Sequence, residues 1–245
     1  MEYKVDGIIK FYPTSKLRLD TTLDFSSPSG AQITLNSRND NDLAIGITLE
    51  VDSEAAAKEM AEIELNRISD LLSYFHDIPI AASRITGMVS VSVTPEDKNI
   101  TAMTYVGVKC DASYVHELGP KSLEKLCQHL EREYCPDFED VISMWKEAIS
   151  TEAPALKYLL LYRLMEFLFK SNAKALTDWI KAKEPSVQIF HDRQRGDTTV
   201  YTYLRDNIHP KQKKFPLQDV NNLLPRLESL VKGAIEDKFS YNYAS

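Results

Sequence analysis

The sequence predicts an α+β protein with two parts. An N-terminal antiparallel β-sheet domain with one long helix is expected over residues 1–115, and an all-α helix bundle over residues 120–240. Apolar residues at alternate positions recur through the first part, one helical stretch interrupts them, and the period becomes helical after about residue 119. Because a single long helix interrupts the strand series, an α+β sandwich is favoured over a closed barrel.

The strands are predicted from side chains that alternate between apolar and small or polar. The clearest runs from Leu43 to Val51, and weaker ones follow the same period at residues 3–11, 17–25, 31–35, 89–93 and 102–108. Residues 27–30, Ser-Pro-Ser-Gly, are typical of a turn between two of them. Five or six strands are therefore expected.

The long helix is predicted from a stripe of apolar residues at helical spacing, Ala61, Leu65, Ile68, Leu72 and Phe75. Either Asp52 or Ser53 can cap its first turn. The stripe is expected to cover the sheet.

The C-terminal part is predicted to contain helices beginning near Ser122 and over residues 137–150, 154–169, 174–183 and 220–235. The segment from Leu156 to Phe169 is apolar almost all round, which requires packing on several sides. Pro225 either kinks the last helix or lies in its first turn. The pattern indicates a helix bundle.

Composition and charge narrow the function. The chain carries a net charge of −7, with 10 basic against 18 acidic residues before position 120 and 19 against 18 after it. The acidity therefore belongs to the first part, which makes it a poor surface for nucleic acid. No signal peptide or apolar span is apparent and the three cysteines form no metal pattern, so a cytoplasmic protein with no membrane association, metal or cofactor is expected.

Chemistry is expected in residues 190–215, where polar, basic and aromatic residues concentrate. On a helix Arg205 and His209 lie one turn apart, and Pro210 indicates that His209 ends that helix. An imidazole at a helix C-terminus is favoured in its protonated form, and an Arg fork fits a phosphate. Together they suffice for metal-free RNA cleavage, with His209 as acid or base and Arg205 on the phosphate.

A structural interpretation competes with this one. Arg205 could form an ion pair with Asp206 or Glu166 while His209 only caps a helix end. Glu166 needs a partner because it lies on a nearly apolar helix, and both Arg163 and Arg205 are candidates. The other four histidines, His76, His116, His129 and His191, show no partner pattern and are expected to be structural.

Three segments resemble the HEPN superfamily (higher eukaryotes and prokaryotes nucleotide-binding), in its Apea-like, methylamine-utilisation MauJ-like group. They are VYTYLRDNIHP at 200–210, the apolar helix ALKYLLLYRLMEFLF at 155–169 and LAIGITLEVDSEAAAKEMAEIELNRISDLLSYF at 43–75. The resemblance implies a homodimeric, metal-independent endoribonuclease or RNA-binding protein, of a kind that serves bacterial defence or stress response. Its N-terminal domain would serve sensing or assembly and bind a protein partner or a small ligand.

The same resemblance implies roles for individual residues. Arg205 and His209 would act across a dimer cleft, with Asp206 or Asn207 orienting the pair. The family usually has four to six residues between Arg and His, whereas this sequence has three. The alternative function is therefore a non-catalytic module for dimerisation or docking, or a small-ligand sensor.

Side chains that flank the motif are candidates for contact with RNA. The basic ones could follow a phosphate backbone, and two tyrosines could stack on bases. They are Arg193, Arg195, Lys211, Lys213, Lys214, Tyr201 and Tyr203. A solvated loop is the other interpretation of the basic residues.

Overall fold

The fold is that of a computed structural model, which describes residues 1–12, 15–39, 41–91, 114–118, 120–192, 196–208 and 217–239. Contacts divide the chain into a sheet unit, Met1–Glu133, and a helical unit, Tyr134–Ser245. The first holds an antiparallel sheet with one long helix and the second is mostly helical, so the predicted α+β class is confirmed.

Five strands of the sheet unit form one antiparallel sheet in the order β3-β4-β5-β1-β6. Its strands are β1 (Glu2–Phe11), β3 (Leu23–Ser26), β4 (Gln32–Asn39), β5 (Asp42–Glu50) and β6 (Ile80–Val91). The alternation that predicted β5 is confirmed, because Leu43, Ile45, Ile47 and Leu49 are all buried. β5 is the middle strand of the sheet and alternates along its whole length, whereas residues 7–9 of β1 are buried in succession.

Two predictions for the strands are corrected. The strand expected over residues 17–25 is two strands, β2 (Ser15–Leu19) and β3, and β2 pairs in parallel with β7 (Tyr114–Leu118), which the sequence did not predict. Residues 89–91 of the strand expected at 89–93 are the end of the longer β6, and residues 92–93 lie outside the described residues. The strand expected at residues 102–108 lies outside the described residues.

The long helix α1 (Glu54–His76) is capped by Ser53 rather than Asp52, since the Ser53 hydroxyl accepts a hydrogen bond from the Ala56 amide at 3.2 Å. Its predicted stripe faces the sheet: Ala61, Leu65, Ile68 and Leu72 are buried. The helix ends at Asp77 in the left-handed region, with φ 53°.

Helix α2 (Pro120–Glu131) contacts β3 and α1 and therefore belongs to the sheet unit. Phe75 of α1 stacks on His129 of α2 with ring centroids 3.6 Å apart. The Arg67 guanidinium of α1 donates to the Leu130 and Arg132 carbonyls at 2.9 and 2.6 Å, where the carbonyls at a helix end lack partners.

The helical unit consists of five helices and a β-hairpin in its described residues. They are α3 (Pro136–Ile149), α4 (Pro154–Leu168), α5 (Ala173–Lys183), β8 (Ile189–Asp192), β9 (Gly196–Thr199), α6 (Val200–Asn207) and α7 (Leu217–Phe239). Pro154 lies in the first turn of α4, as predicted, whereas Pro225 lies inside α7. The sequence did not predict the hairpin.

Helix α4 is the centre of this unit because it contacts α3, α5, α6 and α7. Tyr158, Leu161, Tyr162, Leu164, Met165 and Leu168 are buried. Leu156 and Phe167 on the same helix are nevertheless 51% and 47% exposed, so packing within the unit does not cover all of α4. No helix in the described ranges is long and apolar enough to span a bilayer.

Candidate functional site

Helix α6, which carries Arg205, follows β9 directly. Thr199 ends the strand and caps the helix, because its hydroxyl accepts from the Thr202 amide at 3.3 Å. Tyr201 and Leu204, three residues apart, are buried, while Arg205 is half-buried at the last turn. The cap and the inward pair thereby set which way Arg205 faces.

Buried hydroxyl groups tie α6 to α4. The Tyr158 hydroxyl donates to the Tyr201 carbonyl at 3.0 Å, and the Tyr162 and Thr202 hydroxyls lie 2.8 Å apart. Burial raises the pKa of both Tyr158 and Tyr162, so the two phenols are neutral hydrogen-bond partners near pH 7. These contacts hold α6 in one place against the central helix.

The Arg205 guanidinium is held from three sides. Its Nη1 lies 3.0 Å from Glu166 Oε1, its Nε lies 2.9 Å from Asp206 Oδ1, and it stands over the Tyr162 ring at 4.8 Å from the centroid. Of the two candidate partners for Glu166, Arg205 is the one that contacts it. Both ion pairs named by the structural interpretation are also present.

Two carboxylates contact the one guanidinium of Arg205. Arg205 Nη2 has no ion-pair partner in the part of the chain that the structure describes, and the side chain is 31% exposed. The guanidinium is thus oriented by its neighbours, and about a third of the side chain stays exposed.

Arg205 opens onto a cleft of about 820 Å³ between α5, β9 and α6. Most of the lining residues have polar side chains, and they carry both signs of charge: Ala173, Lys174, Thr177, Asp178, Lys181, Asp197, Thr198, Thr202 and Arg205. Lys174 pairs with Asp178 at 2.6 Å, and Lys181 pairs with Asp197 at 3.1 Å. Cations and hydroxyls of this kind can bind a phosphate ester once the ligand replaces a carboxylate partner.

The two polar residues after Arg205 differ in what they contact. Asp206 reaches the Arg205 guanidinium, in keeping with the orienting role predicted for it. The Asn207 amide nitrogen instead donates to the Tyr203 carbonyl at 2.7 Å, one turn back along α6. Asp206 is therefore the better candidate for orienting Arg205.

Of the two tyrosines predicted to stack on bases, one is buried and the other is exposed. Tyr201 has no exposed surface, and its hydroxyl donates to Glu184 Oε2 at 2.7 Å, so the stacking role predicted for it is not available in the folded chain. The reason is its position on the inner face of α6. Tyr203 is exposed and stacks on Phe190 with centroids 4.2 Å apart.

The remaining predicted site residues lie outside the described residues. They are His209, Arg193, Arg195, Lys211, Lys213 and Lys214. The distance from Arg205 to His209 is therefore untested, and the shared catalytic role of the two residues stays a prediction.

A cluster that the sequence did not predict lies on the hairpin. His191 Nδ1 lies 3.1 Å from Asp197 Oδ1, and Lys181 Nζ lies 3.1 Å from Asp197 Oδ2. The hydrogen bonds from His191 and Lys181 lower the pKa of the Asp197 carboxyl. A histidine and an aspartate on either side of a Gly196 turn were the available signal, since a hairpin places such residues opposite each other.

Comparison with known proteins identifies no relative of this chain. No protein-family model, no curated protein and no solved structure matches this chain. Within the described ranges no group of three or more His, Cys, Asp or Glu side chains is arranged to hold a metal ion.

Proposed function

We propose that this chain is an RNA-cleaving protein of the HEPN type, with Arg205 on the scissile phosphate and His209 as general acid or base. The observation that carries the proposal is the Arg205 guanidinium, held by two carboxylates and lining a cleft that also contains two lysines. The resemblance of residues 200–210 to the HEPN motif supports it from the sequence side.

An arginine held in this way is suited to stabilising charge in a transition state. A donor that is already oriented needs no reorganisation when negative charge develops on a phosphorane. Glu166, Asp206 and Tyr162 supply that orientation, and Nη2 supplies the donor. The residues before position 120 carry 10 basic against 18 acidic side chains and are a poor surface for RNA. We therefore expect RNA to bind the helical unit.

The reaction is an intramolecular transesterification. The ribose 2′-oxygen attacks the phosphorus, the bond from phosphorus to the 5′-oxygen breaks, and Arg205 stabilises the charge on the non-bridging oxygens. His209 takes the 2′-proton or gives a proton to the leaving oxygen. The products are a 2′,3′-cyclic phosphate and a 5′-hydroxyl.

A homodimer is part of the proposal. Leu156 and Phe167 are eleven residues apart, three turns of α4, so they lie on one face of that helix, and both are exposed. A second copy placed against this face would cover it and would supply a second Arg205 and His209. Leu156→Glu should then reduce the sedimentation coefficient to that of a monomer, whereas the exposed Ile63→Glu in the sheet unit should not.

A non-catalytic helical module is the second candidate. The observation that favours it is the pairing of Arg205 with both Glu166 and Asp206, because a guanidinium held by two carboxylates can serve architecture alone. In that case the chain would dimerise or bind a partner without cleaving RNA.

The deciding experiment measures cleavage of a single-stranded RNA by the full chain with EDTA present. Wild type should leave a 2′,3′-cyclic phosphate, and His209→Ala should cleave at least about 10²-fold more slowly, since losing a general acid or base typically costs that much. Arg163→Ala, which removes an exposed arginine from α4, is the matched control and should leave the rate unchanged. A folded wild type that cleaves no RNA would establish the non-catalytic alternative, and full activity in His209→Ala would show that His209 is not the acid or base.

A further inference from the structure

The β8–β9 hairpin holds a histidine and an aspartate in the arrangement that orients an imidazole. His191 and Asp197 are register partners on the two strands, and the His191 Nδ1 to Asp197 Oδ1 distance is 3.1 Å. Side chains alternate along a strand, so Phe190 packs on Tyr203 on one side while His191 lies on the other with Lys181 and Asp197. The hairpin therefore places His191 beside Asp197, which lines the cleft.

Asp197 is itself held in place. Lys181 of α5 contacts its second oxygen, which leaves Oδ1 for the imidazole. When Nδ1 carries the proton and donates it to Asp197, Nε2 is the nitrogen that can accept or deliver a proton. The imidazole is 78% exposed, so a substrate can reach Nε2.

The same cleft joins this cluster to Arg205. Lys181, Asp197 and Arg205 all line it, and His191 contacts the cleft through Asp197, whose Oδ1 lies 3.1 Å from its Nδ1. We propose that His191 is the second proton-transfer group of the RNA-cleaving site, with Asp197 as its positioning residue. This inference rests on the proposed function.

Two proton transfers are what the reaction needs. One group removes the proton from the 2′-hydroxyl as the bond from its oxygen to phosphorus forms, and another protonates the 5′-oxygen as its bond to phosphorus breaks. His209 supplies one of these groups and His191 supplies the other, so each chain carries both an acid and a base. No oxidant, reductant or third reactant enters the balance.

The test uses the full chain and a single-stranded RNA oligonucleotide, with a 2′-deoxy version of the same oligonucleotide as the uncleavable binding probe. His191→Ala should bind the probe within about twofold of wild type and cleave the RNA at least about 10²-fold more slowly. Added imidazole should restore part of the lost rate, because it supplies the missing proton-transfer group. A structural role for His191 would give no such rescue.

Asp197→Asn separates positioning from binding. It should lower kcat about tenfold or more while KM changes less than twofold, since the imidazole loses its orientation but the cleft keeps its cations. Asp237→Asn is the matched control: Asp237 also pairs with a lysine of α5, Lys183, and with a ring N–H, that of Trp179. Because Asp237 is not among the cleft residues, its loss should leave kcat unchanged.

The outcomes distinguish the two proposals. If wild type cleaves RNA and His191→Ala cleaves equally fast, or is slow without imidazole rescue, the role of His191 is overturned while the proposed function stands. If Asp197→Asn matches the control, Asp197 is not a positioning residue. If folded wild type leaves the oligonucleotide intact, both proposals are overturned together.

Discussion

The two units each contain a glutamate paired with an arginine, and the two pairs are built in opposite ways. In the sheet unit Glu64 and Arg67 belong to one turn of α1, with 3.6 Å between Arg67 Nη1 and Glu64 Oε2 and with both side chains nearly buried. In the helical unit Glu166 and Arg205 come from different helices, lie 3.0 Å apart and are each about one-third exposed.

The difference indicates which pair serves architecture and which can serve function. Arg67 donates to two carbonyls at the end of α2, and Glu64 accepts from the Ser29 hydroxyl at 2.6 Å, so both groups are committed inside the fold. Arg205 is also held by ion pairs, but its side chain is 31% exposed and lines a cleft. A committed pair should matter for stability, and an accessible one for binding and rate.

The largest effect on stability is expected for Arg67→Ala. The change removes the cation beside the Glu64 carboxylate and the donor to the end of α2, and loss of one partner of a buried charged pair costs about 2–4 kcal/mol. Denaturant unfolding followed by far-UV circular dichroism measures it, and amide exchange in peptides from α1 and α2 locates it. Arg163→Ala, an exposed arginine, is the control and should change the unfolding free energy by less than about 0.5 kcal/mol. Equal stability of the two variants would contradict the architectural role of Arg67.

Arg205→Ala is expected to reduce the cleavage rate strongly and the unfolding free energy only slightly. Its ion pairs are partly exposed, so the loss should cost about 1 kcal/mol or less of unfolding free energy. Cleavage should fall at least about 10²-fold, with weaker RNA binding, because the donor to the phosphorane is gone. Arg205→Lys should restore binding more than rate, since an ammonium keeps the charge but not the planar fork. A variant that loses several kcal/mol of stability but no activity would place Arg205 with Arg67 as an architectural residue.

The sequence predicts the elements and contacts that depend on residues close together in the chain, and it does not predict those that join distant residues. The apolar alternation of β5 and the apolar stripe of α1 each depend only on residues within one element, so both elements could be predicted. The partner of Glu166 could not be decided, because Arg163 is close in sequence and Arg205 is brought near only by the packing of α6 on α4. The parallel pairing of β2 with β7 joins segments about a hundred residues apart and has no local signal.

The candidate site shows the same limit. Tyr201 and Tyr203 are chemically identical, and only the helical phase of α6, which aligns Tyr201 with the buried Leu204, separates a core residue from an exposed one. His191 and Asp197 meet because a short polar hairpin forms around Gly196, which has φ +76°. Its four-residue strands are too short and too polar to show an apolar alternation.

An alkaline pH dependence is expected of the helical unit. Burial raises the pKa of Tyr201 to about 12, above the value of about 10 for an unfolded chain. The folded state then holds its proton where the unfolded state has lost it, so the stabilisation is complete below about pH 10 and is lost as the pH rises toward 12. The unfolding free energy should fall by at most about 1.4 kcal/mol per pH unit for this phenol.

Both tryptophans, Trp145 and Trp179, lie in the helical unit and report its unfolding by fluorescence. Tyr201→Phe should reduce the slope between pH 10 and 12, and an identical slope would contradict the prediction.

The smallest effects are expected at helix caps, where the two units should behave alike. Ser53 caps α1 in the sheet unit, and Asn172 caps α5 in the helical unit, where its side-chain oxygen accepts from the Ala175 amide at 3.0 Å. Removing a side-chain cap costs about 0.5–2 kcal/mol, because one amide of the first turn loses its partner. Ser53→Ala and Asn172→Ala should each lower the unfolding free energy by about 1 kcal/mol, whereas Ser53→Asp and Asn172→Asp should retain most of the stability of the wild type.

None of the four changes should alter RNA cleavage, because neither residue lines the Arg205 cleft. Denaturant unfolding and the cleavage assay on the same four variants test both statements. A cap variant that loses activity without losing stability would show that the division between architectural and functional contacts is drawn in the wrong place.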